Sequence, residues 1–177
     1  MVREIVKFGS QALRRKAAPV EAVDDAVKIL IQDLFDSMQS AAGVGLAAPQ
    51  IGVLRRVIVV DVSAQEEDKP PIALVNPRIL GTAGTIVAEE GCLSLPDLYA
   101  EVKRAAQIEV EALDVQGESF RFAATGYYAR ALQHEIDHLD GKLFIDYISP
   151  LKRQLMRGAL KRLKKEGEQW DREQRFN

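Results

Sequence analysis

The sequence predicts an α+β fold in which antiparallel or mixed β-sheets pack around a central helix, with a further helix near each end of the chain. Apolar residues recur at helical spacing in three separate segments, and the chain between the first two segments contains short runs of β-branched residues. Two later runs flank a glycine turn, as the strands of an antiparallel hairpin do. The chain 1–177 is expected to form one domain.

The composition is that of a globular protein. Hydrophobic residues make up 47% and charged residues 28% of the chain, a balance far from that of disordered or fibrous proteins. Charged residues interrupt the only apolar stretch near the N-terminus, and no apolar run reaches about 18 residues. We therefore expect a cytoplasmic protein with no membrane partner. The single cysteine cannot form an internal disulfide, and a reducing compartment would keep its thiol available.

The first half of the chain predicts a helix, a loop and two strands. The helix is expected to start after Asp24, which suits an N-cap, and to end at Gly43. Residues 43–52 contain three glycines and a proline, which predicts an ordered loop whose backbone approaches another group closely. Residues 56–62 and 72–75 are β-rich and are expected to form strands joined by a charged turn.

The second half predicts more strands and the central helix. A strand over 85–88 leads into a loop bracketed by Gly91 and Pro96, and a hairpin is expected over 107–113 and 119–123. The central helix should open after Gly126 and stop at Gly141. Its expected buried stripe consists of Tyr128, Leu132, Ile136 and Leu139.

The C-terminal region predicts a basic helix over 150–166 followed by a frayed tail over 167–177. Ser149 and Pro150 suit the N-cap and the first helical position, and Gly167 suits the end. The expected apolar face consists of Leu151, Leu155, Ala159 and Leu163. Residues 151–177 hold nine Lys or Arg against four Asp or Glu. This charge is typical of a solvated helix face, and it also suits an anionic partner.

The central helix carries the only two histidines of the chain, His134 and His138, at a spacing that places both on one face. Two imidazoles in this arrangement can bind one metal ion, and the lone cysteine, Cys92, can supply a third ligand. Three protein ligands leave a position for water, and a thiolate favours Zn(II) or Fe(II) over Mg(II). The alternatives are a helix that carries two histidines by chance and a cysteine that acts as a small buried hydrophobe.

Glu135 directly follows the first histidine, where it can act as general base for a metal-bound water and pass the proton to a departing amine. The backbone N–H of Leu93 and the amide of Gln50 are candidate donors to an oxyanion. A zinc endopeptidase is an enzymatic alternative, although Phe144 occupies the place of a further histidine; a downstream glutamate, Glu166 or Glu168, is available as a ligand instead. A non-catalytic ribosome-associated module with a structural metal is an alternative of another class.

Three segments together resemble the signature blocks of the peptide deformylase family. They are residues 43–50, 90–96 and 133–141, which read GVGLAAPQ, EGCLSLP and QHEIDHLDG. The resemblance implies an enzyme that removes the formyl group from the N-terminal formyl-methionine of newly made polypeptides. It implies metal ligation by Cys92, His134 and His138, with Fe(2+) as the usual ion and Zn(2+), Ni(2+) or Co(2+) as substitutes. It also implies that water attacks the formyl carbon with Glu135 as base and then acid.

The same resemblance assigns oxyanion donation to Gln50 and Leu93, and it pairs Glu90 with Arg104. Substrate contacts are expected from the main chain of Gly45, whose missing Cβ would admit the substrate backbone. Arg130 stands where many relatives carry an apolar residue, and its guanidinium is expected to reach solvent while its stem lines the pocket. The expected substrate-binding residues are Val44, Gly45, Glu90, Tyr127 and Arg130. Ribosome docking through the helix 150–166 is a further implied partner, without sequence-specific recognition of nucleic acid.

Overall fold

The computed structural model of the protein describes residues 1–174, and over these residues it confirms the α+β fold. The helices are α1 (Asp25–Ser40), α2 (Gly126–Leu139), α3 (Pro150–Leu155) and α4 (Arg157–Gln174). The strands are β1 (Gly45–Ala47), β2 (Val57–Val60), β3 (Ile72–Ala83), β4 (Ile86–Cys92), β5 (Leu95–Arg104), β6 (Gln107–Leu113) and β7 (Ser119–Thr125). Within the described range, none of the helices combines the length and apolar character needed to cross a bilayer.

The strands form two antiparallel sheets. The larger sheet has five strands in the order β1-β2-β3-β6-β7, and the smaller one is the hairpin β4-β5. The strands predicted over 56–62 and 72–75 are present as β2 and the first part of β3, and they pair with Val57 opposite Val75. The predicted hairpin over 107–113 and 119–123 is also confirmed, and its second strand extends to Thr125.

The five-stranded sheet lies between α1 and α2, which explains the unbroken apolar run of β2. Ile58 faces the core that contains Leu132 of α2, whereas the adjacent Val59 faces the core that contains Leu34 of α1. Because side chains alternate between the faces of a strand, both faces of β2 are buried. The predicted buried stripe of α2 is confirmed, since all four of its residues lie in the core.

The start of α1 is as predicted, but its end is not. The Asp24 carboxylate accepts a hydrogen bond from the Val27 N–H at 2.9 Å and caps the helix. The helix ends at Ser40, and Ala42 rather than Gly43 adopts the left-handed conformation, with φ of 51°. A Cβ on Gly43 would instead collide with the Leu93 side chain. This glycine therefore permits contact with the segment that follows Cys92.

The predicted loop over 91–96 is wrong in its extent. Cys92 is the last residue of β4 and is paired with Leu95, so the turn contains only Leu93 and Ser94. The loop predicted over 43–52 is likewise shorter, because it contains the edge strand β1 and a 3-10 turn over Ala48–Ile51. In both segments, tertiary pairing extends regular structure into chain that contains glycine and proline.

The C-terminal prediction is correct at its start and wrong afterwards. Ser149 caps α3, but this helix ends before Met156. A second helix, α4, follows and runs through Gly167 to Gln174. Residues 167–174 are thus helical, and the remaining residues of the predicted frayed tail, 175–177, lie outside the described part. Leu151 and Leu155, expected on the apolar face of this helix, are 68% and 75% exposed. The buried face of this region consists of Met156, Leu160, Leu163, Gly167 and Asp171.

The helix α4 packs on the N-terminal segment. The backbone of Gly167 approaches Lys7 and Phe8 so closely that a Cβ would collide with their carbonyl oxygens. The buried carboxylate of Asp171 accepts hydrogen bonds from the Ser10 hydroxyl and the Gln11 N–H. Gly167 therefore supports close packing within the helix instead of ending it.

Candidate active site

Helix α2 and the hairpin β4-β5 bring together the three predicted metal ligands. The Sγ atom of Cys92 lies 3.4 Å from Nε2 of His138, and the Nε2 atoms of His134 and His138 are 3.2 Å apart. All three potential ligand atoms lie within 4.8 Å of one another. Both imidazoles are buried. The predicted convergence of these residues is confirmed, and the cluster is compatible with a bound metal ion.

The hydrogen bonding of His134 shows that this cluster suits a cation. Its Nδ1 lies 2.7 Å from the Glu90 carboxylate, so Nδ1 carries a proton and Nε2 is the nitrogen that faces Cys92 and His138. Burial and the nearby His134 and Arg104 hold the pKa of His138 well below its usual value, which favours a neutral ring. Burial opposes protonation of His134, but contacts with Cys92 and Glu90 outweigh it and raise the pKa of His134, so a metal ion would have to displace the proton from its Nε2. The two Nε2 atoms and the sulfur, which face one another in a buried site, are donors suited to a divalent ion.

Glu90 orients His134 and is itself held by two arginines. Arg104 donates to both carboxylate oxygens at 2.7 and 3.0 Å, and Arg130 donates to one of them at 2.8 Å. Burial opposes ionisation of Glu90, but the hydrogen bonds from Arg104 and His134 outweigh it and lower the pKa to about 2. The predicted pairing of Glu90 with Arg104 is therefore present as a buried contact rather than a surface ion pair.

Glu135 lies beside the cluster in a secluded position. Its carboxylate is buried, and burial raises its pKa to about 7. One carboxylate oxygen, Oε2, has no hydrogen-bond partner among the residues described. A Cβ on Gly45 would collide with this carboxylate. The glycine therefore makes room for Glu135, a reason that differs from the predicted one of access for a substrate backbone.

Gln50 lies on the other side of Cys92. Its amide nitrogen donates to Cys92 Sγ at 3.5 Å and to the Ser94 hydroxyl at 3.2 Å, while its oxygen accepts from the Ala47 N–H at 2.9 Å. The side chain is fully enclosed, with 1% of its surface exposed. A glutamine in a loop is usually solvated. Gln50 is instead buried, and its amide is a fixed donor beside Cys92.

A cavity of about 300 Å³ opens onto these groups. Its lining contains each predicted catalytic and substrate-binding residue, together with two of the three candidate ligands. They are Gln50, Leu93, Glu135, Val44, Gly45, Glu90, Tyr127, Arg130, Cys92 and His134. Tyr99 and Asp97, which the sequence analysis did not select, also line it. This cavity is where a substrate can reach the cluster.

The expectation that Arg130 reaches solvent is wrong. Its side chain is only 6% exposed, and its guanidinium donates to Glu90 and to three backbone carbonyls of the hairpin β4-β5. A buried guanidinium needs several acceptors, and an edge of hairpin carbonyls with a carboxylate provides them. The sequence offered no signal for this, because the hairpin was predicted only in part.

Two further residues of the site were missed. Ser94 is fully buried and fixes the Gln50 amide, and Asp137 accepts from Arg104 at 2.5 Å. Both lie inside the three signature segments, directly beside residues that were selected. Their positions next to buried polar groups were the only available signal.

The alternative ligands of a protease site are not part of this cluster. Phe144 stacks on the His134 ring with centroids 6.5 Å apart, so it contributes an apolar wall. Glu166 lines a separate cavity with Lys7 and Trp170. Over residues 1–174, the only metal-compatible group of histidine, cysteine and carboxylate residues is Cys92, His134 and His138. A downstream glutamate ligand is therefore not supported.

Comparisons with known proteins agree with this geometry. The polypeptide deformylase family profile matches residues 2–154. A peptide deformylase of Thermodesulfovibrio yellowstonii is 48% identical over 160 residues, which cover 90% of this chain and 97% of that protein.

Solved structures of peptide deformylases share the fold. Those from Legionella pneumophila and Thermus thermophilus both superpose with a TM-score of 0.86, at 46% and 43% identity. The matches cover 93% and 94% of this chain, and 96% and 99% of those chains. The chain belongs to the polypeptide deformylase family.

Proposed function

We propose that this protein is a cytoplasmic, metal-dependent peptide deformylase that acts during protein biosynthesis. It hydrolyses the formyl amide of N-terminal formyl-methionine in newly made polypeptides and releases formate. The observation that carries the proposal is the Cys92, His134 and His138 cluster beside the buried Glu135, at the base of an open cavity. The family membership supports the choice of a formyl amide over other amides.

The three ligand residues suit Fe(2+), with Zn(2+), Ni(2+) or Co(2+) as substitutes, because thiolate and imidazole are donors for these ions. When bound, such an ion acidifies a coordinated water and polarises a carbonyl group. Glu90 contributes by fixing the orientation of the His134 ring through the 2.7 Å contact at Nδ1.

Glu135 is the proton-transfer group in this proposal. Its carboxylate lies at the cavity with one oxygen unpartnered, so it can accept the proton of the attacking water. The same carboxylate then delivers that proton to the departing amine of methionine. Enclosure by Gly45 and the core keeps it in one orientation throughout.

Gln50 and the N–H of Leu93 are proposed to stabilise the oxyanion. Leu93 directly follows Cys92 at the hairpin turn and lines the cavity. The Gln50 amide nitrogen makes two contacts, and the longer one, 3.5 Å to the Cys92 sulfur, is the weaker. In this proposal, donation to the oxyanion replaces that contact. The 3.2 Å contact with Ser94 then keeps the amide in place. Preorganised donors of this kind favour the transition state over the substrate.

The strand β1 is the proposed contact for the substrate main chain. It is the edge strand of the five-stranded sheet, because Gly45 pairs with Val60 on one side only. An extended peptide can add to the free edge of such a strand. Val44, Tyr127 and the stem of Arg130 line the cavity beside it and are proposed to contact the methionine side chain.

Formate release from formyl-Met-Ala-Ser by the metal-loaded protein tests the proposal. The acetylated peptide is the matched control, since it differs at the scissile acyl group alone. We expect formate from the first peptide, an intact Met-Ala bond in both, and little release of acetate. Cleavage of internal peptide bonds without formate release would instead identify an endopeptidase.

Gly45→Ala is expected to lower kcat by roughly 100-fold, because its Cβ would push the Glu135 carboxylate from its position. Because Gly45 is buried, the added methyl group should also lower thermal stability somewhat, so kcat is compared below the unfolding transition, measured by circular dichroism, and at equal metal content. Gly81→Ala is the matched control, because no atom lies near the Cβ it would add. Full activity of Gly45→Ala would show that the exact place of Glu135 is unimportant.

We also propose that the basic face of α4 docks on the ribosome. Lys161, Arg162 and Lys165 are exposed on this helix and suit an anionic surface. Removal of residues 151–177 would be a poor test, because Leu160 and Leu163 belong to a core cluster that contains Leu13 and the hairpin residue Leu95. Such a truncation would destabilise the site as well.

Changing Lys161, Arg162 and Lys165 together to Glu is therefore the sharper experiment. We expect weaker co-sedimentation with ribosomes, a reduced dependence of binding on salt, and unchanged hydrolysis of short formyl peptides. If co-sedimentation equals that of the unmodified protein, the charge of this face serves solvation only.

A further inference from the structure

We propose that Arg130 is a positioning residue that fixes the Cys92-bearing hairpin to the histidine-bearing helix and thereby sets the geometry of the metal site. This inference rests on the proposed function. The three proposed metal ligands come from two separate elements of the fold. Cys92 ends strand β4 of the two-stranded sheet, whereas His134 and His138 lie on α2. Their relative position depends on contacts between the hairpin and the helix.

Arg130 makes such contacts to both strands of the hairpin. It lies one helical turn before His134, and its Nη1 donates to the Ile86 carbonyl of β4 at 3.1 Å. Its Nη2 donates to the Ala88 carbonyl of β4 at 3.0 Å and to the Val102 carbonyl of β5 at 3.1 Å. One guanidinium on α2 thus holds the main chain of both strands, just ahead of Cys92.

Arg130 also provides one of the four hydrogen-bond contacts of the Glu90 carboxylate. Oε1 of Glu90 accepts from Arg104 and faces Nδ1 of His134, and Oε2 accepts from Arg104 and from Arg130. A carboxylate has about four acceptor sites, and all are used here. Loss of Arg130 would free one of them and allow the carboxylate to turn away from His134. The residue thus acts on two ligands, on Cys92 through the hairpin and on His134 through Glu90.

The chemistry of arginine is required for this role. Its planar fork presents several N–H groups at once, whereas lysine offers a single ammonium on a flexible stem. A lysine at this position could donate to Glu90 or to some of the carbonyls. It could not hold Glu90 and the carbonyls of both strands at the same time. The alternative is that Arg130 is only a wall of the substrate cavity, which it also lines.

The test compares Co(2+) binding by the unmodified protein, Arg130→Met, Arg130→Lys and Arg121→Met. Arg121 is the control, because it forms an arginine–glutamate pair with Glu111 and its side chain is 62% exposed. Affinity is measured by competition with a chelator, and the thiolate-to-cobalt absorption band reports Cys92. We expect about 10- to 100-fold weaker binding and an altered band for Arg130→Met. We expect a smaller loss for Arg130→Lys and no change for Arg121→Met.

Unchanged affinity and band in Arg130→Met and Arg130→Lys would overturn the inference, and a changed KM among peptides with different first side chains would then assign Arg130 to the cavity wall. If circular dichroism shows that Arg130→Met does not fold, Arg130→Lys decides by the same criterion. A missing thiolate band in the unmodified protein would mark failure of the proposed metal site itself. A normal band there with normal variants would mark failure of this inference alone.

Discussion

Replacing Glu135 with alanine is expected to lower kcat for formyl-Met-Ala-Ser by about 10²- to 10⁴-fold, the usual range for loss of a general acid and base. The reason is that Glu135 is the carboxylate with an unpartnered oxygen at the cavity. The KM should change less than kcat, because the proton transfers occur in the transition state. Steady-state kinetics with equal metal loading measures this effect.

Glu135→Gln is the matched variant, since it keeps the size of the side chain and removes its ability to carry the proton. It should show the same loss of kcat and retain the metal. A kcat within a few fold of the unmodified protein in both variants would contradict the assignment of Glu135.

Replacing Cys92 with serine is expected to have the second large effect, on metal binding itself. Serine keeps the shape of the side chain but supplies a hard hydroxyl in place of a soft thiolate. The affinity for Co(2+) or Zn(2+) should fall by more than the roughly 10- to 100-fold that loss of an outer hydrogen-bond partner causes. Deformylase activity should fall with it at limiting metal.

Equilibrium dialysis with metal analysis measures this loss. The metal-free forms provide the control: their thermal unfolding should be similar, because Cys92 is partly exposed at the end of β4. Retention of both metal and activity by the serine variant would show that the third ligand lies elsewhere.

The parts of the fold that could be predicted are those in which local sequence and tertiary packing agree. Helix α2 combines an apolar stripe with glycines at both ends, and its bounds and buried face are as predicted. Helix α4 shows the opposite case. Gly167 suits a helix end, but the close approach of Lys7 and Phe8 gives this glycine a packing role. Contacts between residues so far apart in sequence leave no local pattern.

The site likewise has features that local sequence predicts and features that depend on contacts distant in sequence. The two histidines share one helical face, so their convergence was predictable from spacing, and Cys92 was the only cysteine that could supply a thiolate. The role of Arg130 was not predictable, because it depends on carbonyl groups of β4 and β5. Every residue has a backbone carbonyl, whatever its side chain. The sequence of the hairpin therefore does not indicate that its carbonyls bind an arginine.

The most direct test of the account is a titration of the metal-free protein with Co(2+) under exclusion of oxygen, which protects the thiol. Formate release from formyl-Met-Ala-Ser and the thiolate-to-cobalt absorption are followed in the same samples. The account predicts that both rise together and reach their plateau at one ion per chain. Full activity without added metal, or activity that rises without the thiolate absorption, would contradict it.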